Sequence, residues 1–171
     1  IILIGPIGVG KSTQGQLLSE TLNLPRCPMD DFRWDYYAEI GYDREFGDKL
    51  GNQIGFWAIY MYWKEFECYA VERLLSEHRD CVIDFGAGHS VYEIDTHFAR
   101  VQKALKPYPN IVLLLPSSDR AESVRILNER QGKNQTDEMD IVEHFVRHHS
   151  NHDLAKFTVY TKGRTPEETR D

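Results

Sequence analysis

Cysteine, positive charge and uninterrupted apolar sequence are all scarce in this chain, and each scarcity removes a class of protein. The three cysteines, Cys27, Cys68 and Cys81, stand far apart with no C-x-x-C pair. Neither a disulfide framework nor a paired-cysteine zinc site is expected, and a reducing, cytoplasmic setting fits best. Twenty Lys and Arg face 27 Asp and Glu, a net charge of −7. A protein that grips a phosphate backbone needs clustered cations, so no nucleic-acid partner is expected. Apolar runs are broken well before the length that spans a bilayer, and no basic, then apolar, signal opens the chain, which argues against a membrane partner. Internal repeats and low-complexity tracts are lacking too. What remains is a partner of small-molecule size. With 171 residues, 41% of them apolar, the chain suffices for one α/β core, a single domain over 1–171. Ile1 already reads as strand, and Thr165-Pro166-Glu167-Glu168 as a helix start with Thr165 as N-cap, so both ends are expected to be trimmed.

The chain opens on its most informative stretch. The apolar run Ile1 to Ile4 turns directly into Gly5-Pro6-Ile7-Gly8-Val9-Gly10-Lys11-Ser12, which fits G-x-x-x-x-G-K-[ST] without a mismatch. Glycines let the backbone curl until successive N–H groups point inward at a polyphosphate. Gly8, Val9, Gly10, Lys11, Ser12 and Thr13 are therefore the candidate ATP-binding residues. Lys11 supplies charge near the β- and γ-phosphates, and the Ser12 hydroxyl suits Mg²⁺. A helix is expected from Lys11, with Leu17, Leu18 and Leu22 buried and Gln14 and Gln16 facing out.

Further along, short strands are expected at Pro25–Met29, Cys81–Phe85, Asn110–Leu115 and Phe157–Thr161. Helices are expected at Phe32–Glu39, Ile54–Glu77, about Glu93–Leu105, from Ser117 or Ser118 to Arg130, and about Asp140–His149. The glycine-marked stretch Gly41–Gly55 separates the first two of these helices, and polar, glycine-containing 131–139 reads as a lid. Strands alternating with helices predict a five-stranded parallel sheet covered on both faces, a three-layer P-loop kinase fold. Ligands of such sheets bind at the carboxyl ends of the strands, where Gly5–Ser12, Asp30, Asp84 and Gly86–Gly88 all fall. The helix over 54–77 carries Phe56, Trp57, Tyr60, Tyr62, Trp63, Phe66 and Tyr69 on more than one face, so some of these rings are expected to line a pocket.

At such a crevice Asp30 suits the carboxylate that orients an acceptor hydroxyl and takes its proton, with Asp31 left to cap the next helix. Asp84 ends a buried strand, where it either holds Mg²⁺ through water or makes a structural hydrogen bond to the P-loop. Gly86-Ala87-Gly88 would let a substrate lie against bare backbone. Arg130 and Arg147 flank the lid, where cations neutralise a transferring phosphoryl group. His144 and His148 share a helical face at a spacing a metal can use. Because no cysteine or acid is spaced with them in the sequence, a solvated surface is the expectation.

These residues resemble those of the shikimate kinases and related small P-loop kinases, in order and over nearly the whole chain. Gly5–Thr13 is similar to that family's P-loop, and Leu24-Pro25-Arg26-Cys27-Pro28-Met29-Asp30 to its Leu-Pro-x-x-Asp-x-Asp stretch. Trp63-Lys64-Glu65-Phe66-Glu67 resembles its Phe-Arg-x-x-Glu, Val82–Gly88 its strand and glycine triplet, and Arg147 through Ala155 to Thr161 its closing segment. The resemblance implies Asp30 as the substrate-binding base, and Lys64, the Gly86–Gly88 backbone and Arg147 as the acceptor-positioning groups. Pro28 stands where the family has its first aspartate, a magnesium-shell residue, so that duty would pass to Asp84. Lys64 replaces an arginine, and Ala87 interrupts the glycine triplet. The expected activity is ATP- and Mg²⁺-dependent phosphorylation of a hydroxyl on shikimate or a related polyol or carboxylated metabolite, with Asp30, Lys11 and Arg130 as catalytic residues. A nucleoside or nucleotide kinase, favoured by the aromatic helix, and a non-catalytic ATP-binding sensor, favoured by Pro28, are the alternatives.

Overall fold

The computed structural model describes residues 1–132 and 140–171. The expected lid, 131–139, lies outside the described residues apart from Gln131 and Gly132 at its start. In chain order the elements are β1 (Ile2–Ile4), α1 (Lys11–Leu22), β2 (Arg26–Pro28), α2 (Met29–Glu39), α3 (Arg44–Gln53), α4 (Phe56–Glu77) and β3 (Val82–Asp84). They continue with a 3₁₀ turn (Ala87–Ser90), α5 (Asp95–Leu105), β4 (Ile111–Leu115), α6 (Arg120–Gln131), α7 (Ile141–Arg147), α8 (His149–Leu154), β5 (Phe157–Tyr160) and α9 (Pro166–Arg170).

The five strands form one parallel sheet in the order β2-β3-β1-β4-β5. Its register sets Ile2 beside both Ile83 and Ile111. β1 is central, buried at all three residues, and its neighbours were made at different stages of the chain. Crossovers therefore leave β1 and β3 toward opposite sides, and a crevice opens between the loops that follow them. The short strands read as apolar runs because both faces are covered. Alternate residues of β4 serve different cores: Ile111, Leu113 and Leu115 join α4 and α5, whereas Leu114 packs with Val9, Leu127, Val142 and Val146, as a two-residue period requires.

Several boundaries differ from the sequence expectation. The stretch Gly41–Gly55 contains α3, capped by the Asp43 side chain accepting from the Phe46 amide at 2.9 Å. Asp119, not a serine, caps α6 by accepting from the Ala121 and Glu122 amides. The expected last long helix is two short ones, because His148 leaves helical backbone with ψ of 135°. On α1 two positions depart from the expectation: Gln14 is buried, with Lys11 and Gly15, and Leu22 is exposed, while Leu17 and Leu18 are half-buried and Gln16 faces out. Close approach explains this, since a Cβ on Gly15 would meet the Asp84 carboxylate at 2.8 Å, and Gln14 Nε2 donates to the Pro166 carbonyl at 2.8 Å. At the far end Thr165 and Glu168 form a capping box with Pro166 at the first helical position, as expected.

All three cysteines are buried and free. Burial pushes the Cys68 thiol up to about 12, and burial together with the neighbouring Cys27 thiol does the same to Cys81. Among the described residues no helix is long and apolar enough to cross a membrane.

The tightest glycine is Gly88, where a Cβ would overlap the buried Glu67 carboxylate. Forcing bulk into a filled site typically costs about 1–3 kcal/mol. Gly88→Ala is expected to lower stability by that amount in urea denaturation, with an unchanged denaturant slope.

Candidate active site

The P-loop follows from local backbone chemistry. Gly5, Gly8 and Gly10 hold φ of 137°, 75° and 104°, left-handed values that cost other residues strain. At Gly5 space is also lacking, because a side chain would collide with the Leu114 carbonyl of the adjoining strand. Gly10 caps α1 with its own backbone, so the helix begins at Lys11 with its free amides and its positive dipole end facing the loop. Lys11 is buried, and its Nζ donates to the carbonyls of Gly5 and Pro6 at 2.8 and 2.9 Å. Burial lowers its pKa to about 8, against the pull of the Asp30 and Asp84 carboxylates, which raise it.

A cleft of about 470 Å³ opens beside this loop, lined by Ile7, Gly8, Gly10, Lys11, Ser12, Thr13, Asp30, Arg33, Phe85, Gly86 and Ala87. The loops after β1 and β3 and the first turn of α2 thus converge on one space. α2 starts at Met29, earlier than the sequence suggested, so Asp30 and Asp31 both sit in its first turn without capping it through their side chains. There they complement the helix dipole. Asp30 is open to the cleft and ion-paired to Arg33, one turn on, at 3.4 Å. Gly86 matters for this approach, since its Cβ would come within 3.2 Å of Asp30 Oδ1 and 2.8 Å of His89 Nδ1. Arg33 went unnoticed in the sequence, although its i, i+3 spacing from Asp30 was the available signal. Its guanidinium stacks 4.4 Å over the Trp34 ring, and its Nε is buried with no partner among the described residues.

On the other side of the P-loop, Val9, Gly10, Thr13, Gln14, Arg130, Thr161, Arg164, Pro166 and Thr169 line a second recess of about 250 Å³. Arg130 reaches the loop itself, with Nη1 3.5 Å from the Gly8 carbonyl. Arg164 is the second basic residue here that the sequence reading passed over.

Four expected site residues, Lys64, Gly88, Arg147 and Asp84, do not line the cleft. Lys64 is fully buried on α4, ion-paired to Glu67, donating to the carbonyls of Gly88 and Val91 at 3.1 and 3.0 Å, and 4.1 Å from the Tyr60 ring centre. Burial raises the Glu67 pKa while Lys64 opposes the shift. This pair props the Gly86–Ser90 turn from behind, and no atom of it lines the cleft. Gly88 faces that pair, so Gly86 and Ala87 are the members of the triplet on the cleft. Arg147 closes α7, half-exposed and paired with Glu143 at 2.7 Å. Asp84 gives both oxygens to Arg26, at 2.9 and 2.8 Å. The expected structural alternative, a hydrogen bond to the P-loop, is replaced by this ion pair with Arg26 of β2, which occupies both carboxylate oxygens.

The aromatic helix behaves differently from the expectation as well. Tyr62 and Phe66 pack with Tyr37, Tyr42 and Phe46 of α2, α3 and the loop between them, and Tyr60 packs on Phe145 of α7. Among the described residues none from α4 lines the cleft, so its rings lend a nucleoside acceptor no support there. His89 is equally structural: its Nε2 meets the Tyr37 hydroxyl at 3.1 Å, and burial, aided by Lys64 and Arg33, drives its pKa down to about 3.

No family model matches the chain. Among solved structures it is similar to the shikimate kinase of Acinetobacter baumannii in complex with shikimate, at 16% identity and a TM-score of 0.64 over 99% of this chain and 87% of that one. It is likewise similar to the shikimate kinase of Bacteroides thetaiotaomicron, at 19% identity and 0.60 over 99% and 92%. At those identities the likeness establishes the fold, and the five-stranded P-loop kinase sheet is the one expected. A curated shikimate kinase of Streptomyces coelicolor is 31% identical over 182 residues, covering 98% of this chain and 89% of that protein. With the phosphate loop, the sheet order and a relative that close along both chains, this protein belongs to the shikimate kinase family, as an ATP-dependent small-molecule kinase that phosphorylates a hydroxyl acceptor.

Proposed function

We propose that the acceptor is a polyol bearing a carboxylate, of which shikimate is the type, and that Asp30 and Arg33 receive it. The observation that carries this reading is the single cleft holding Lys11, Asp30, Arg33 and the Gly86-Ala87 backbone together. Asp30 accepts the proton of the attacking hydroxyl as its oxygen bonds to the γ-phosphorus and the bond from that phosphorus to the bridging oxygen of ADP breaks. Arg33, with a guanidinium beside Asp30 and an unpartnered Nε, holds the acceptor carboxylate in place of Lys64, which is committed to Glu67. Lys11 leaves the loop carbonyls for the β- and γ-phosphates. Arg130 and Arg164 border the recess beyond Val9 and Thr13, which suits the rest of the nucleotide. Positioning and charge neutralisation supply most of the rate.

Mg²⁺, when bound, would supply positive charge that neutralises the phosphates during transfer. The exposed Ser12 hydroxyl is the fitting protein ligand, and Asp84, held by Arg26, would contribute only through its field. Three buried thiols support a reducing, cytoplasmic setting.

The first test is ATP consumption with Mg²⁺ on shikimate, uncharged polyols, nucleosides and no acceptor. Turnover is expected on shikimate or a similar carboxylated polyol, and turnover confined to nucleosides or uncharged polyols would sink the reading. Asp30→Asn is expected to lower kcat about 10²–10⁴-fold with ATP binding retained, and unchanged transfer would remove Asp30 as base. Arg33→Ala should raise the KM for a carboxylated acceptor at least tenfold while ATP affinity stays put, and a lack of effect would leave the carboxylate without Arg33. Because Lys11 must be cationic, and its pKa is about 8 in the free protein, kcat/KM for ATP should be flat below that pH and fall as pH rises through it. A profile still level at pH 9.5 would contradict the assignment.

A further inference from the structure

The sequence set His144 and His148 aside for want of an acid, and the fold supplies one. Glu93, from the loop between the 3₁₀ turn and α5, reaches the end of α7, so that donor atoms of Glu93, His144 and His148 all lie within 4.8 Å of one another. We propose that these three side chains form a binding site for one divalent cation of zinc's ligand preference, separate from the phosphate cleft.

The chemistry of the donors supports it. Two imidazoles and one carboxylate are a ligand set that zinc accepts, with the fourth position left to water. A tetrahedral ion with bonds of about 2.0–2.1 Å holds its ligands roughly 3.4 Å apart, so the present triangle needs adjustments of about an ångström. The His144 Nε2 to Glu93 Oε1 hydrogen bond, 2.7 Å, marks the place where a metal would displace a proton. The second oxygen, Oε2, is buried without a hydrogen-bond partner among the described residues, which leaves lone pairs free for an ion.

The surroundings are those of a held site. The Tyr60 hydroxyl donates to Glu93 Oε1 at 2.7 Å, fixing the carboxylate, and the Trp57 ring stands edge-on to His144 at 5.5 Å, limiting its rotation. His148 is oriented by the Ser150 amide donating to its Nδ1 at 3.3 Å. Coordination through Nε2 would shift the ring proton and forfeit that long bond, a small loss against a metal bond. Lys64, behind the Tyr60 ring, is already neutralised by Glu67, so the local charge facing an ion is that of Glu93. Occupancy would pin α7 to the loop that follows the Gly86–Ser90 turn.

The neighbouring pair His149–Asp153, exposed and i, i+4 on α8, is the obvious competitor, and the test separates the two. The whole chain, free of nucleotide, is titrated with Zn²⁺ against a chromogenic chelator. One equivalent is expected to bind, with affinity falling at least about tenfold in Glu93→Gln and in His148→Ala and unchanged in His149→Ala. Equal affinity in wild type and His148→Ala, or loss in His149→Ala alone, overturns the site. Should a variant fail to fold, the wild type loaded with Co²⁺ decides by NMR: paramagnetic shifts at the His144 and His148 imidazoles support the site, while uptake sensed only at His149, or none, refutes it.

Discussion

Everything at the active cleft depends on one folded-back ammonium. Lys11 Nζ lies against the Gly5 and Pro6 carbonyls at 2.8 and 2.9 Å, in a loop that only glycine geometry allows. The arrangement stores a buried positive charge beside two carboxylates in readiness for a polyphosphate, which is why burial can bring its pKa to about 8 without discharging it at neutral pH. Position in the sheet does the rest. β1 is central, its loop and that of β3 face each other, and Asp30 arrives on the first turn of α2 from the edge strand β2.

A second buried pair supports the β3 side of the cleft from beneath. Lys64 and Glu67 sit one helical turn apart, out of water, with Lys64 also bonded to the carbonyls of Gly88 and Val91. Removing one member of such a pair would leave an uncompensated buried charge, typically worth 3–5 kcal/mol. The pair therefore fixes the turn that carries Gly86 and Ala87.

The P-loop, the strand alternation and the position of Asp30 at the cleft were legible because each is encoded locally, by glycine spacing, by apolar runs and by a carboxylate just after a strand. What escaped the sequence is set by contacts between distant segments. Leu22 reads as core, yet Gly15 packs on Asp84 instead. Asp84 reads equally well as a metal ligand until Arg26, 58 residues away, takes both its oxygens. The rings of α4 satisfy one another and α2, α3 and α7, which no periodicity could reveal. Arg33 needed only the recognition that α2 starts at Met29, and Glu93 meets His144 across 51 residues.

The burial of the three thiols has a use beyond compartment. A thiol whose pKa stands near 12 is almost entirely protonated at neutral pH, and the thiolate is the reacting species. Cys68 and Cys81 are shielded on both counts, by charge state and by lack of access. Cys68 is packed beneath α5, whereas Cys27 lies in the edge strand β2 and Cys81 directly before its inner neighbour β3. Alkylation at each position can therefore proceed only as fast as its surroundings open. The chain thus carries two built-in clocks, one timing the separation of α4 from α5 and the other the peeling of the sheet edge.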